Sequence, residues 1–217
     1  RYASIADLAR PTVGIAGVRI DAGSTGPPVP LSVIAGMSLI NLRDCTVKNI
    51  DVPAGFRGDQ PRWSPNGKRF ALLNVTGEGY ELWSADVETP RLRRLGRFYI
   101  NPVLGDAFHW MPDGRTLLVK TIPRRRGRPP QAPLVPAGPA VEESSGIKAA
   151  ARTYQNLLKS SYDAALFDYY ASSQLALADA VTEKVTPIGA PAIIAAVSPA
   201  PDGRHILVTT VHRPYSY

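Results

Sequence analysis

Trp63 to Leu73 reads "WSPNGKRFALL", Trp110 to Lys120 reads "WMPDGRTLLVK", and Pro199 to Thr209 reads "PAPDGRHILVT". Each copy joins a proline to Asn-Gly or Asp-Gly: Pro65, Asn66, Gly67; Pro112, Asp113, Gly114; Pro201, Asp202, Gly203. Such dipeptides accept the positive φ angles of a tight hairpin, and the proline fixes how the chain enters the turn. The three glycines are therefore expected at equivalent hairpin turns. A compact apolar run follows each turn, at Phe70 to Leu73, Leu117 to Val119 and Ile206 to Val208, without strict alternation. Runs of that kind predict strands covered on both faces.

A second phrase extends the unit. "LWSADVETPRLRRLG" from Leu82 matches "LALADAVTEKVTPIG" from Leu175, with Asp86 over Asp179, Thr89 over Thr182 and Leu95 over Ile188; a weaker copy, "LINLRDCTVKNI", starts at Leu39. Each reads as a strand, a polar turn and a further strand, so hairpin and phrase together make four strands. Pro65 lies 47 residues from Pro112, close to the ~40 to 50 residues of a propeller blade. The fold class is therefore all-β: a partial β-propeller of about three four-stranded antiparallel blades, spanning 1–217, with a short helical insertion. Pro112 to Pro201 is 89 residues, which places that insertion at about 123–172. Its first half, "PRRRGRPPQAPLVPAGPAVEESSG", is too rich in Pro and charge for regular structure. Its second half carries Tyr154, Leu157 and Leu158, then Leu166, Phe167 and Tyr170 at helical spacings. Two short helices are expected, near Thr153–Ser160 and Asp163–Ala171, broken around Ser160 to Tyr162.

Composition narrows the functional classes. Pro and Gly make 39 of 217 residues, favouring many turns between short strands. The formal charge of +7 is one patch: Arg91 to Arg128 holds ten bases against Asp106 and Asp113, a local +8, while the remainder is −1. Its densest part, "RRRGRPP" from Arg124, has no interleaved aromatics and no nucleic-acid module around it, so it reads as a solvated basic loop and no nucleic-acid partner is expected. The single Cys45 leaves the redox compartment open. No apolar run is long enough for a membrane span and no charged-then-apolar leader is present, so no membrane partner is expected. The chain begins at Arg1 and reads as an internal piece; an upstream signal peptide would make a periplasmic or secreted location possible. His109, His205 and His212 form no metal-ligand pattern, no Gly-x-Ser-x-Gly elbow exists, "ESSG" at Glu143 lies in the Pro-rich stretch, and "GSTGPP" from Gly23 lacks a phosphate-loop lysine. No metal, no cofactor and no catalytic residue is expected. "NVT" at Asn74 fits a glycosylation sequon only weakly, inside a predicted strand.

Three further stretches carry a resemblance: "IADLARPTVGIAGVRIDAGSTGPP" near the start, "RTYQNLLKSSYDAALFDYYASSQLALAD" in the insertion, and "SPAPDGRHILVTTVHRPYSY" at the end. With the blade phrases, the chain resembles the N-terminal propeller of prolyl oligopeptidase-type serine peptidases, in the glutamyl endopeptidase branch. The resemblance implies a following α/β-hydrolase domain that supplies the catalytic triad, absent from these residues, and a propeller that admits flexible peptides while excluding folded proteins. The partner so implied is a peptide substrate. A preference for acidic side chains implies an arginine to meet the carboxylate, because a guanidinium binds it bidentately. Arg213 in "HRPYSY" is the candidate for substrate binding, with Tyr215 and Tyr217 as aromatic walls. A structural role for Arg213, paired with an acid between blades, is the alternative at that position. For the whole chain the alternative is a non-catalytic propeller scaffold for protein binding. An arc of blades that does not close leaves sheet edges open, so self-association through them is expected.

Overall fold

The computed structural model describes residues 2–133 and 155–215. A single-turn helix, α1 (Ile5–Leu8), precedes two hairpins, β1 (Thr12–Ile15) with β2 (Val18–Asp21) and β3 (Ser38–Ile40) with β4 (Val47–Asn49). Four strands then form an antiparallel meander: β5 (Gly58–Trp63), β6 (Arg69–Val75), β7 (Tyr80–Asp86) and β8 (Arg93–Arg94). The next sheet begins with β9 (Phe108–Trp110) and β10 (Thr116–Thr121), continues after helix α2 (Ser161–Ala171) with β11 (Ser172–Asp179) and β12 (Val185–Pro199), and ends on β13 (Ile206–Val211). Its five strands lie in chain order. The fold is all-β, a partial β-propeller whose meanders are the blades.

The repeated turns are equivalent, as the sequence predicts. Gly67, Gly114 and Gly203 have φ of 66°, 64° and 70°. Only the glycine is left-handed in each, because the preceding Asn or Asp does different work: the Oδ1 atoms of Asn66, Asp113 and Asp202 accept the N–H groups of Lys68, Arg115 and Arg204. A β-turn closed by the Gly67 N–H on the Ser64 carbonyl (2.9 Å) thus leads into the hairpin. The matched aspartates Asp86 and Asp179 also start turns, accepting the N–H of Glu88 and those of Val181 and Thr182, and each holds an arginine of the preceding hairpin, Arg69 and Arg115.

Burial explains the first two apolar runs. Along β6, Ala71, Leu73 and Val75 face one cluster, which also takes Tyr80, Leu82, Phe108, Trp110, Leu117 and Val119 from both meanders. Phe70 and Leu72 face the opposite way, onto Ile50, Phe56 and Leu92. In β10, Leu118 turns to Met111, Leu175, Ile194 and Val197. Blades therefore pack face against face, and β6 and β10 are dry on both sides; the third run, Ile206 to Val208, is not, because β13 is an edge strand and Leu207 is 74% exposed. Trp110 is buried (8% exposed) and its indole N–H donates to the Arg62 carbonyl of the blade before it (3.0 Å). Trp63, its counterpart, is 57% exposed and rests edge-on against Phe70.

Two sequence expectations need adjustment. The second and third blades are joined: β12 pairs with β11 over its first part and with β13 from Ile193 to Pro199, running on past the end of β11. The Gln174 amide donates to the Ile188 carbonyl (2.7 Å) at the irregular register where β12 turns toward its second partner. The second predicted helix is present as α2, capped by Ser160, whose Oγ accepts the Asp163 N–H. The first is not helical where described. Asn156 has a φ of 59°, and its carbonyl takes the Gly17 N–H (2.9 Å), docking this segment on the β1–β2 hairpin. Tyr154 lies outside the described residues.

Successive turns also stack: a Cβ on Gly114 would run into the Asn66 side chain, whereas Gly67 faces open space. Gly67→Ala is expected to cost about 1 to 2 kcal/mol for its left-handed backbone, and Gly114→Ala roughly 1 kcal/mol more because Asn66 must also move. Urea unfolding of both variants, with Asn66→Ala/Gly114→Ala completing the cycle, measures the difference; equal costs would refute the stacking.

Candidate functional site

The insertion brings the basic patch and the end of the chain to one place. Pro123 to Arg126 form a β-turn closed by the Arg126 N–H on the Pro123 carbonyl (3.1 Å), with Arg124 and Arg125 exposed at its corners. Arg126 is the anchor. Its guanidinium lies over Tyr169 at 4.2 Å from the ring centroid, and Nη2 donates to Thr25 Oγ1 (3.0 Å). Its Nη1 is buried without a hydrogen-bond partner among the described residues. The basic run is thus divided: Arg126 fixes the turn, while Arg124, Arg125 and Arg128 are held out in solvent.

Helix α2 supplies the other wall. Its C-terminal end is tied by Asn101, whose amide donates to the carbonyls of Tyr170 (2.9 Å) and Ser172 (2.8 Å) while Oδ1 accepts the Val103 N–H (3.1 Å). Asn101 is buried; its two amide bonds join the inter-blade connection to the insertion, and the third holds the connection itself. Phe167 and Tyr170 face inward onto Ile15, Ile20 and Ile193. Asp168 remains half-buried at the surface and accepts from Arg213 Nε (2.9 Å) and the Tyr215 hydroxyl (2.5 Å). Tyr215 stands edge-on to Phe167, 5.4 Å between centroids. Burial, followed by its bond to the Asp168 carboxylate, pushes the Tyr215 phenol up to about 12.

Between these walls lies a cleft of about 790 Å³. Phe98, Ile122, Val185 and Pro187 line its apolar side, and Arg97, Arg124, Arg125 and Arg126 its basic side. Asp168 and Glu183 also line it. The sequence-predicted pair, Arg213 and Tyr215, meets on Asp168 at the edge of this cleft; neither lines it. Tyr217 lies outside the described residues. Asp168, Asn101 and the anchoring role of Arg126 escaped sequence reasoning, because each acts through partners 45 to 101 residues away.

A second polar group stitches the two meanders. Arg62 Nη2 donates to Asp106 Oδ1 (2.6 Å), and His109 Nε2 lies 3.7 Å from the other carboxylate oxygen. Burial holds the His109 imidazole below its ordinary value, partly offset by Asp106. Lys120 is 1% exposed and donates from Nζ to the Leu104 carbonyl. Burial pushes it down to about 8, again partly offset by Asp106. The sequon residue Asn74 is committed inside the fold, its amide donating to Glu81 (2.9 Å) and its Oδ1 accepting the Arg57 N–H. Among the described residues no His, Cys, Asp and Glu group could hold a metal ion, and no helix is long and apolar enough to cross a membrane.

With this geometry established, the likeness to known proteins is specific. A chloroplastic protein of Oryza sativa subsp. japonica, named probable glutamyl endopeptidase, is 39% identical over 230 residues, covering 98% of this chain and 24% of its own length. Its Arabidopsis thaliana namesake is 40% identical over 227 residues, covering 98% and 23%. The chain is homologous to one segment of the glutamyl endopeptidases. It spans about a quarter of the length of the relatives it matches. No family model matches. Among solved structures, acylaminoacyl peptidase from Pyrococcus horikoshii aligns with a TM-score of 0.46 at 19% identity, covering 82% of this chain and 24% of that one. The β-propeller domain of the Trilobed protease from Pyrococcus furiosus aligns with a TM-score of 0.42 at 20% identity, covering 83% and 45%.

The Lys120 environment yields a signed pH dependence. Between pH 8 and the ordinary lysine range near ~10.4 the unfolded chain holds a proton that the folded chain has released, so stability rises with pH across that window. Lys120→Met removes the titration and is expected to be more stable than the parent at pH 7, by on the order of 2 to 3 kcal/mol. Urea unfolding at pH 7 and pH 9.5 measures both effects; a parent and variant with the same pH dependence would refute the assignment.

Proposed function

We propose that this chain is the substrate-gating propeller portion of a serine-type peptidase that hydrolyses peptide bonds after glutamate, with the catalytic triad supplied by residues outside this segment. The observation that carries the reading is an identity of 39 to 40% extending over 98% of the chain, toward proteins named for that activity. The physical role fits the fold. Blades that bury both faces against their neighbours make a rigid wall, and a rigid wall can select substrates by size, admitting flexible chains and refusing folded ones.

Within this reading Arg213 and Tyr215 contact substrate. Asp168 holds the Arg213 guanidinium in place, and an incoming glutamate side chain takes over that pairing. No serine in the chain stands in a Gly-x-Ser-x-Gly elbow, and the reading assigns the hydrolytic step to residues outside this segment. Purified as these 217 residues, it is expected neither to cleave a Glu-containing peptide nor to label with a fluorophosphonate probe, while the longer peptidase does both. Arg213→Ala in that longer protein is expected to raise KM for Glu substrates several-fold. Specific labelling of a serine within 1–217 would overturn the proposal.

The same reading includes self-association of the isolated segment. β13 is an edge strand with Leu207 74% exposed, and the β3–β4 hairpin exposes Ile40, Leu42 and Val47. Size-exclusion chromatography with light scattering is expected to show oligomers of the isolated chain; a stable monomer would count against it.

A further inference from the structure

We propose that the cleft between the Pro123–Arg126 turn and α2 is a capture site for an acidic polypeptide segment, read by Arg97, Arg124 and Arg125. It is separate from the Arg213 contact and does not rest on the peptidase reading, since capture requires no hydrolysis.

Four observations carry it. First, the three arginines are exposed and make no ion pair among the described residues, although they share one cleft. Many arginines elsewhere in the fold are spent, Arg10 on Asp21, Arg57 on Asp7, Arg62 on Asp106, Arg69 on Asp86, Arg94 on Glu81 and Arg115 on Asp179, while Arg19, Arg43, Arg93, Arg128 and Arg204, which also lack an ion pair among the described residues, do not line this cleft. Second, the turn is pre-organised. Arg126 stacks on Tyr169, bonds to Thr25 and closes the turn, so Arg124 and Arg125 are presented side by side from a fixed backbone. A solvated loop would have no need of that anchor, and ordering before binding lowers the entropy cost of capture.

Third, the acids lining the cleft do not neutralise it. Asp168 is occupied by Arg213 and Tyr215, leaving Glu183 against the three free guanidinium groups. Fourth, the size and floor suit a peptide. About 790 Å³ accommodates a short stretch of extended chain and no folded partner, and Phe98, Ile122, Val185 and Pro187 offer apolar contact to its aliphatic atoms. A single-stranded nucleic acid would use successive open aromatic faces. Here the Tyr169 face is covered by Arg126, and Phe98 is left as the ring on the apolar side. Carboxylates therefore suit the cleft better than stacked bases, each able to take a guanidinium in a bidentate pair.

The test is fluorescence anisotropy with fluorescein-labelled hexaglutamate and the full 217-residue chain in 50 mM salt. Saturable binding is expected, lost on raising the salt to 300 mM, with hexaglutamine failing to bind. Arg124→Ala/Arg125→Ala is expected to raise Kd at least tenfold. Arg43→Ala/Arg204→Ala removes two exposed arginines outside the cleft, and is expected to leave Kd within twofold. Both pairs are at the surface, and matching circular dichroism melts verify the folds. Arg126→Ala, which frees the turn while keeping all three capture arginines, is expected to weaken binding several-fold. Equal losses in the two double variants would reduce the effect to net charge and overturn the site. So would an absence of hexaglutamate binding, or tighter binding of a dT oligonucleotide through the same arginines, which would assign the cleft to phosphate.

Discussion

Everything in this structure depends on a central strand that must be dry on both faces. β6 sends Ala71, Leu73 and Val75 into one apolar cluster and Phe70 and Leu72 into another, and β10 does the same with Leu117 and Val119 against Leu118. A single meander cannot satisfy that demand, because each of its faces needs another sheet. The second meander lies on the first, β12 and β13 cover the second, and the β3–β4 hairpin region covers the outer face of the first. The repeated turns stack as a by-product of this packing. Gly114 has room for the Asn66 side chain only because it carries no side chain of its own.

The insertion obeys a different rule. In the first meander, β6 passes to β7 through a tight hairpin; in the second, β10 and β11 keep the same antiparallel register while α2 sits in the connection between them. What joins α2 to the blades is a polar lock as much as apolar burial. Asn101 satisfies the backbone at the end of α2, Arg126 reaches back to Thr25 beside the β1–β2 hairpin, and Asp168 gathers Arg213 and Tyr215. The buried Asp21 shows the same economy of charge. Burial raises its carboxyl, but Arg10 and the N–H groups of Ser24 and Gly23 outweigh that, and the net direction is down. These contacts turn the Pro123–Arg126 turn that opens the excursion into one wall of a cleft.

Charge is correspondingly unequal across the surface. Many arginines knit strands or blades together, each against a carboxylate. Scattered others make no ion pair, but the cluster of them lies where the excursion leaves β10, and the local excess of base visible in the sequence becomes a lined cleft. A patch that composition alone describes as solvated is partly structural through Arg126 and partly free through Arg124 and Arg125.

The blade architecture was legible in the sequence because hairpin turns and doubly buried strands impose local demands: a glycine that tolerates positive φ, an Asn or Asp that holds the turn, and an unbroken apolar run after it. The aligned Asp86 and Asp179 were visible for the same reason, and the structure gives their task as turn initiators. α2 was legible from its spacing, while the segment before it was not, since the left-handed Asn156 is imposed by docking on Gly17 rather than by any local preference. The continuity of β12 through two blades was likewise decided by its partners, β11 on one side and β13 on the other. Arg213 and Tyr215 could be named from sequence, but their meeting on Asp168 is a contact across 45 and 47 residues that no local pattern encodes. Turn chemistry and burial pattern are written residue by residue; which arginine is spent and which remains free is settled only when distant carboxylates and rings are folded against them.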